Sequence, residues 1–210
     1  MKVTEIFHSI QGESTLAGRP CVFVRLTGCP LRCTWCDTAY SFHGGTDMSI
    51  ETIREQVRTY GCSLVEVTGG EPLHEPESFG LITALCQDGY EVLVETSGAI
   101  DISPVDRRAR IILDVKCPGS GMTDRMDWEN LSRLRPGDEV KFVLLDRGDY
   151  EWAREVMARH HLTNRPILFS PVHGRLDPRE LSEWVLADRL GVRVQLQMHK
   201  YIWDPDTRGV

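Results

Sequence analysis

Apolar residues along the chain gather in short runs, each followed by a polar or glycine-bearing turn. The runs Cys21–Leu26, Leu64–Thr68, Val92–Glu95, Ile111–Val115, Val140–Leu145, Ile167–Phe169 and Val192–Met198 suit buried strands. Between several of them lie segments that suit helices: Ser49–Tyr60, Glu77–Gln87, Tyr150–His160 and Pro178–Leu190. Ser49, with Thr52 three residues on, predicts a partial N-cap for the first of these, and Gly61 and Gly191 stand where C-terminal caps are expected.

Strands alternating with helices predict an α/β fold with a mostly parallel sheet and right-handed crossovers. About six repeats in 210 residues fall short of a full eightfold barrel, which takes about 250, so the expectation is a truncated, partial TIM-like barrel. No internal repeat, low-complexity tract or linker divides the chain, and residues 1–210 are expected to form one domain. In such sheets the chemistry sits at the carboxyl ends of the strands, so the informative residues lie just after each apolar run.

Composition refines this picture. With 41% apolar and 26% charged residues the chain falls among ordinary soluble domains, and its size allows a core without disulfides or a structural metal. A net charge of −7 argues against nucleic acid or an anionic membrane as the main partner and favours small molecules. Residues 1–20 carry His8, Gln11, Glu13 and Arg19 and lack the apolar core of a signal peptide, and no stretch reaches transmembrane length, so a cytoplasmic location is expected. Seven cysteines, an odd number, suit ligands or buried thiols better than a disulfide framework. Cys21, Cys62, Cys86 and Cys117 are scattered and suit small buried hydrophobes.

The other three stand together in Gly28-Cys29-Pro30-Leu31-Arg32-Cys33-Thr34-Trp35-Cys36-Asp37, a C-x3-C-x2-C loop directly after the first apolar run. Three thiolates can bind three irons of a cubane and leave the fourth open to a small chelating ligand. A structural zinc would need a fourth ligand, for which His43 is the nearest candidate. After the next run comes Gly69-Gly70-Glu71-Pro72, where two residues without side chains allow close backbone approach to a ligand, and carbonyls with Glu71 suit an ammonium group. Other strand ends carry Glu95-Thr96-Ser97-Gly98, Asp114-Val115-Lys116, Lys141 and Ser170-Pro171-Val172-His173, each of which alone also suits a cap or turn.

The cysteine spacing, with an aromatic before the third cysteine, and the Gly-Gly-Glu element resemble the radical S-adenosylmethionine superfamily. The resemblance implies a 4Fe-4S cluster on Cys29, Cys33 and Cys36, and S-adenosylmethionine chelated to the open iron as the source of a hydrogen-abstracting adenosyl radical. Glu5-Ile6-Phe7-His8-Ser9-Ile10-Gln11-Gly12-Glu13-Ser14, Phe23-Val24-Arg25-Leu26-Thr27-Gly28-Cys29 and the closing Arg208-Gly209-Val210 narrow it, over the whole chain, to the 7-carboxy-7-deazaguanine synthase family.

That likeness implies rearrangement of 6-carboxy-5,6,7,8-tetrahydropterin to 7-carboxy-7-deazaguanine with loss of ammonia, a step toward queuosine and other 7-deazapurines. It puts Ile10, Gln11, Gly12, Arg25, Thr96 and Val210 at the substrate, and Arg25 suits its carboxylate because guanidinium donates two parallel hydrogen bonds. Around S-adenosylmethionine it puts Trp35, Cys36, Asp37, Gly70, Glu71, Gly98, Asp114, Val115, Lys116, Ser170, Pro171, Val172 and His173. Asp114-Val115 stands where relatives often show Ser-Pro, and Ser170-Pro171 where a Gln is frequent. Further implications are Mg2+ at Thr38, an electron donor such as flavodoxin or ferredoxin, and a homodimer. Two alternatives remain at this stage: an activating enzyme for a glycyl-radical protein, and a non-catalytic zinc or iron-sulfur module.

Overall fold

A computed structural model describes residues 1–210. Its strands are β1 Lys2–Ile10, β2 Pro20–Leu26, β3 Thr46–Asp47, β4 Leu64–Gly69, β5 Glu91–Thr96, β6 Arg110–Val115, β7 Glu139–Leu144, β8 Ile167–Pro171 and β9 Arg193–Val194. They form one sheet in the order β3-β1-β2-β4-β5-β6-β7-β8-β9. From β2 to β9 all neighbours are parallel, and β1 runs antiparallel to both β2 and β3. The two ends of the sheet do not pair, so the barrel is open, as six or seven parallel strands require.

The helices are α1 Ile50–Thr59, α2 Glu77–Gln87, α3 Asn130–Arg133, α4 Arg147–Arg159, α5 Pro178–Ala187 and α6 His199–Ile202. Ser49 Oγ accepts from Thr52 N at 3.1 Å, and Gly61 ends α1 at φ +62°. Helix α4 begins three residues before the expected Tyr150, because Asp146 supplies an N-cap to Asp149 N at 3.1 Å. Gly191 is not the cap of α5: the helix stops at Ala187, and Arg189 takes the left-handed backbone at φ +53°.

Alternate strand residues face opposite ways, and the face packed against the helices is apolar. Val22, Val24, Val65, Val67, Val94, Leu113 and Phe142 belong to a core of 38 buried residues completed by Ile53, Leu81, Leu85, Tyr150 and Leu181 of the helices. The other face closes its floor with a smaller apolar cluster of Cys21, Phe23, Leu64, Leu93 and Ile112. Cys21, Cys86 and Cys117 are buried, as expected of structural thiols, and Cys62 is half-buried.

Beside the short β3, α3 and α6, which the sequence pattern does not predict, two parts of the sheet depart from expectation. β1 was not anticipated, since its apolar residues follow no clean alternation; it is an outer strand with only Val3 and Ser9 fully buried. The seventh run pairs only over Arg193–Val194, after which residues 195–210 leave the sheet edge and cross the cavity mouth. Met198 N donates to Gly12 O at 3.0 Å and Gln195 Nε2 to Ser14 O at 2.6 Å, which fixes this crossing. No helix is long and apolar enough to cross a membrane.

Candidate active site

The carboxyl ends of the parallel strands surround a cavity of about 770 Å³. Its lining includes the cysteine loop, charged residues on the inner face of the strands, and residues of the segment from Gln197 to Val210, which contributes to its cover.

The cysteine loop leaves β2 through Gly28 at φ +103°, a conformation natural only to glycine. Gly69 and Gly70 let the loop dock: a Cβ on Gly69 would stand 2.5 Å from Leu26 O, and one on Gly70 would stand 2.4 Å from Gly28 O. Glu71 N donates to Gly28 O at 2.9 Å, sealing that contact. The far side is held by Thr34 N and Thr34 Oγ1, which donate to Ser120 O at 3.1 Å and Gly119 O at 2.8 Å. Leu31 is buried beneath, and the Arg32 guanidinium lies 4.1 Å over the Phe42 ring.

This anchoring presents Cys29, Cys33 and Cys36, all free and half-buried, to one cavity. Burial pushes the Cys29 and Cys33 thiols up, partly offset at Cys33 by the Lys116 ammonium, so metal binding must displace protons from them. His43, the candidate fourth zinc ligand, is exposed and off the cavity wall. Three thiols on one rigid loop, with no fourth cysteine or histidine completing them, suit a cubane with one iron left open. Thr38 also lines the cavity; it begins a short 3-10 helix, yet its side chain makes no cap bond.

Beside the loop, Lys116 Nζ pairs with Asp114 Oδ2 at 2.7 Å. Burial works to lower the Lys116 pKa, but Asp114 and Cys33 outweigh it, so the ammonium is held charged. Asp114 Oδ1 has no partner, and both residues line the cavity. On the same cavity wall Arg25 Nε donates to Glu5 Oε1 at 2.8 Å, and Tyr40 Oη donates to the same oxygen at 2.8 Å. The two Nη groups of Arg25 have no protein partner, which leaves the outer fork of an oriented guanidinium for an anion.

Residues 23–121 match the radical SAM superfamily. The chain is 47% identical to 7-carboxy-7-deazaguanine synthase of Koribacter versatilis, over 100% of both chains. It is 47% identical to the synthase of Chlorobaculum tepidum, over 100% of this chain and 97% of that one. The crystal structure of QueE from Escherichia coli superposes with a TM-score of 0.77 at 25% identity, covering 94% of each chain. The chain belongs to the 7-carboxy-7-deazaguanine synthase family.

Within this synthase fold most residues expected at a ligand line the cavity: Ile10, Gln11, Gly12, Arg25, Thr96 and Val210 among those expected at the substrate, and Trp35, Cys36, Asp37, Gly70, Asp114, Lys116, Val172 and His173 among those expected at the cofactor. Five stand behind the wall instead: Glu71, Gly98, Val115, Ser170 and Pro171. The Glu71 carboxylate accepts from Leu73 N, Thr96 Oγ1, Ser97 N and Ser97 Oγ at 2.5–3.0 Å, so it ties the end of β4 to the end of β5. Gly98, at φ +72°, packs on Leu113 and Met126, Val115 belongs to the helix-side core, and Ser170 and Pro171 end β8 with both residues buried.

Sequence reasoning gave no role to Glu13, Glu66, His199 and Lys200 of the synthase cavity, and noted Glu95 and Lys141 only as rim residues. One signal was available: Glu66 interrupts the apolar run Leu64-Val65-Glu66-Val67 at an inward position. Lys200, which pairs with Asp37 at 2.5 Å, had none, because 163 residues separate the partners.

Proposed function

We propose that this chain converts 6-carboxy-5,6,7,8-tetrahydropterin to 7-carboxy-7-deazaguanine with loss of ammonia, the whole chain acting as one catalytic domain. The observation that carries the reading is the shared cavity, which three free thiols and an Arg25 fork pre-oriented by Glu5 both line. When bound, a 4Fe-4S cluster and S-adenosylmethionine supply the radical that abstracts a substrate hydrogen.

The chain's own residues hold and orient. Cys29, Cys33 and Cys36 would hold the cluster; Gly70, Asp114 and Lys116 border the space for S-adenosylmethionine; and Arg25 pairs with the pterin carboxylate. The hydroxyl of Thr38 is not consumed as a cap and offers an oxygen ligand to Mg2+, which takes one or two protein ligands and lets substrate oxygens and water complete its octahedron. Residues of the closing segment shield the site from water, with Arg208 stacked 4.1 Å over the Tyr40 ring. That cover also speaks against a glycyl-radical activating enzyme, whose protein substrate needs an open cleft. A reductant such as flavodoxin or ferredoxin, a homodimeric assembly and a cytoplasmic location complete the proposal.

The test is anaerobic incubation of reconstituted protein with the carboxytetrahydropterin, S-adenosylmethionine, Mg2+ and a reductant, with mass detection of the deazapurine. Product formation that falls without Mg2+ in the wild type, and loses that dependence in Thr38→Ala, is expected. No deazapurine from protein with a full cluster would overturn the reaction, and an unchanged Mg2+ response in Thr38→Ala would overturn the metal role.

A further inference from the structure

Beneath the cavity, the inner face of the sheet from β2 to β6 is floored by carbon. Phe23 of β2, Leu64 of β4, Leu93 of β5 and Ile112 of β6 form this floor, and Leu16 of the β1–β2 connection packs against it. On β7 the residue in register with Ile112 is Glu139, whose side chain is 0% exposed. The alternation that sends Val140, Phe142 and Leu144 into the helix-side core turns Glu139 and Lys141 inward. A carboxylate in a layer that the neighbouring strands fill with aliphatic side chains costs stability unless its bonds compensate.

Both oxygens of Glu139 are given to one residue. Thr15 N donates to Oε2 at 2.9 Å, and Thr15 Oγ1 donates to Oε1. Arg110 completes the group, with Nη1 at 3.6 Å from Glu139 Oε1 and donating to Thr15 Oγ1 at 3.3 Å. Two residues before Thr15, Glu13 accepts from Lys141, which stands two residues after Glu139. The connection therefore descends along β7 and is gripped at every second residue. Ser14, between the two grips at φ +64°, accepts on its carbonyl from Gln195 Nε2 at 2.6 Å. β1 and β2 lie toward one end of the open sheet and β7 to β9 at the other, so the connection bridges the gap between them.

Glu139, Thr15 and Arg110 do not line the cavity, whereas Gln11, Gly12 and Glu13 of the same connection do. The connection is cross-linked within itself: Gln11 N donates to Arg19 O and Gly18 N to Gln11 O, both at 2.8 Å, and Glu13 N donates to Gln11 Oε1 at 3.0 Å. A shift at Thr15 is thereby carried to Gln11. The contact of Leu16 with the floor is non-directional and fixes depth only loosely, while a carboxylate bonded through both oxygens fixes register.

We propose that Glu139 is a positioning residue: its two bonds to Thr15 set how far the β1–β2 connection reaches into the cavity, and so place Gln11 and Gly12 against the substrate. The inference rests on the function proposed above and adds to it a residue that touches neither substrate nor cofactor. The cysteine loop is held by other contacts, at Thr34 and at Gly70, so the clamp acts on the pterin and leaves S-adenosylmethionine alone.

The test uses Thr15→Val, which keeps the shape and the backbone bond and removes the hydroxyl, with Thr15→Ser as the conservative control. Hydrogen exchange over residues 11–19, measured on cluster-free protein without ligand, should quicken about ten-fold in Thr15→Val and return to the wild-type rate in Thr15→Ser. In reconstituted protein the Kd and KM for the carboxytetrahydropterin should rise about ten-fold or more in Thr15→Val and recover in Thr15→Ser. Cluster content and S-adenosylmethionine affinity should not change. The double variant Thr15→Val with Glu139→Leu, which fills the floor with carbon, should stay folded and lose at least as much pterin affinity. A clamp that only holds the fold would lower Tm and leave pterin affinity as in wild type. That result, or wild-type exchange over residues 11–19 in Thr15→Val, overturns the positioning role alone. Failure of wild type to bind the carboxypterin overturns the proposed function and this role with it.

Discussion

The two faces of the same sheet are built to different ends. Toward the helices, Val65, Val67, Val94, Leu113 and Phe142 sit in a continuous apolar core. One residue away along the same strands, Arg25, Glu66, Glu95, Asp114 and Lys141 point into the cavity, held by ion pairs and hydrogen bonds. The first face gains from burying carbon, and any group of the right shape serves nearly as well. The second carries charges at a cost in stability, and it makes sense only with a ligand whose groups complete the pairing. Substitutions on the two faces should therefore separate loss of folding from loss of function.

The largest effect is expected from Cys33→Ala on the cavity side. It should abolish the cluster and all turnover while changing the free energy of unfolding of the cluster-free protein by less than about 1 kcal/mol. Iron and sulfide analysis with chemical denaturation checks both halves; a full four-iron cluster in the variant would refute the ligand assignment. On the opposite face, Phe142 is fully buried, edge-on to Phe169 at 5.6 Å and to Trp152 at 6.5 Å. Phe142→Ala should cost about 3–5 kcal/mol of stability. A loss below about 1 kcal/mol in urea melts would mean that the helix-side core is not where the fold is held.

Returning to the cavity, Arg25→Lys should weaken pterin binding about ten-fold with S-adenosylmethionine binding intact, since an ammonium cannot reproduce the guanidinium fork. Titration of both ligands decides it, and unchanged pterin affinity would leave Arg25 as a partner of Glu5 only.

The smallest effect lies outside both faces. The Asp106 carboxyl is drawn down to about 2 by hydrogen bonds from the Arg108 side chain and then from its backbone N–H. A depressed carboxyl contributes stability above its unfolded pKa of about 4, and that contribution is lost as the pH falls from about 4 toward 2. Because the Arg108 side chain is 53% exposed, screening should hold the Asp106→Asn effect to a few tenths of a kcal/mol at neutral pH. Acid titration of stability should bring variant and wild type together near pH 2; a gap that stays constant with pH would exclude an electrostatic origin.

Sequence alone carried the alternation of strands and helices, the open parallel barrel, the cysteine loop and the family, because these depend on local pattern and on spacing within a few residues. It also led to the glycines after β4, although their immediate physical role is to admit the cysteine loop against the strand end. Glu71 shows the limit. Its motif pointed to a ligand, and the direction of its side chain is set by Leu73, by Thr96 at the end of β5 and by Ser97 just beyond it, which no local pattern shows. β1 was missed because an outer strand exposed on parts of both faces needs no regular alternation.

What only the tertiary structure decided is which distant residues share a space. Glu13, Glu66, Glu95 and Lys141 come from four segments and meet only when the sheet curls, and Lys200 reaches Asp37 only after the final segment has crossed the cavity mouth. Periodicity determines which side of a strand a residue faces, since that follows from the backbone repeat of two. Which charges end up sharing one low-dielectric pocket follows from strand order, curvature and the path of the last sixteen residues, and none of these is encoded in any short stretch of the chain.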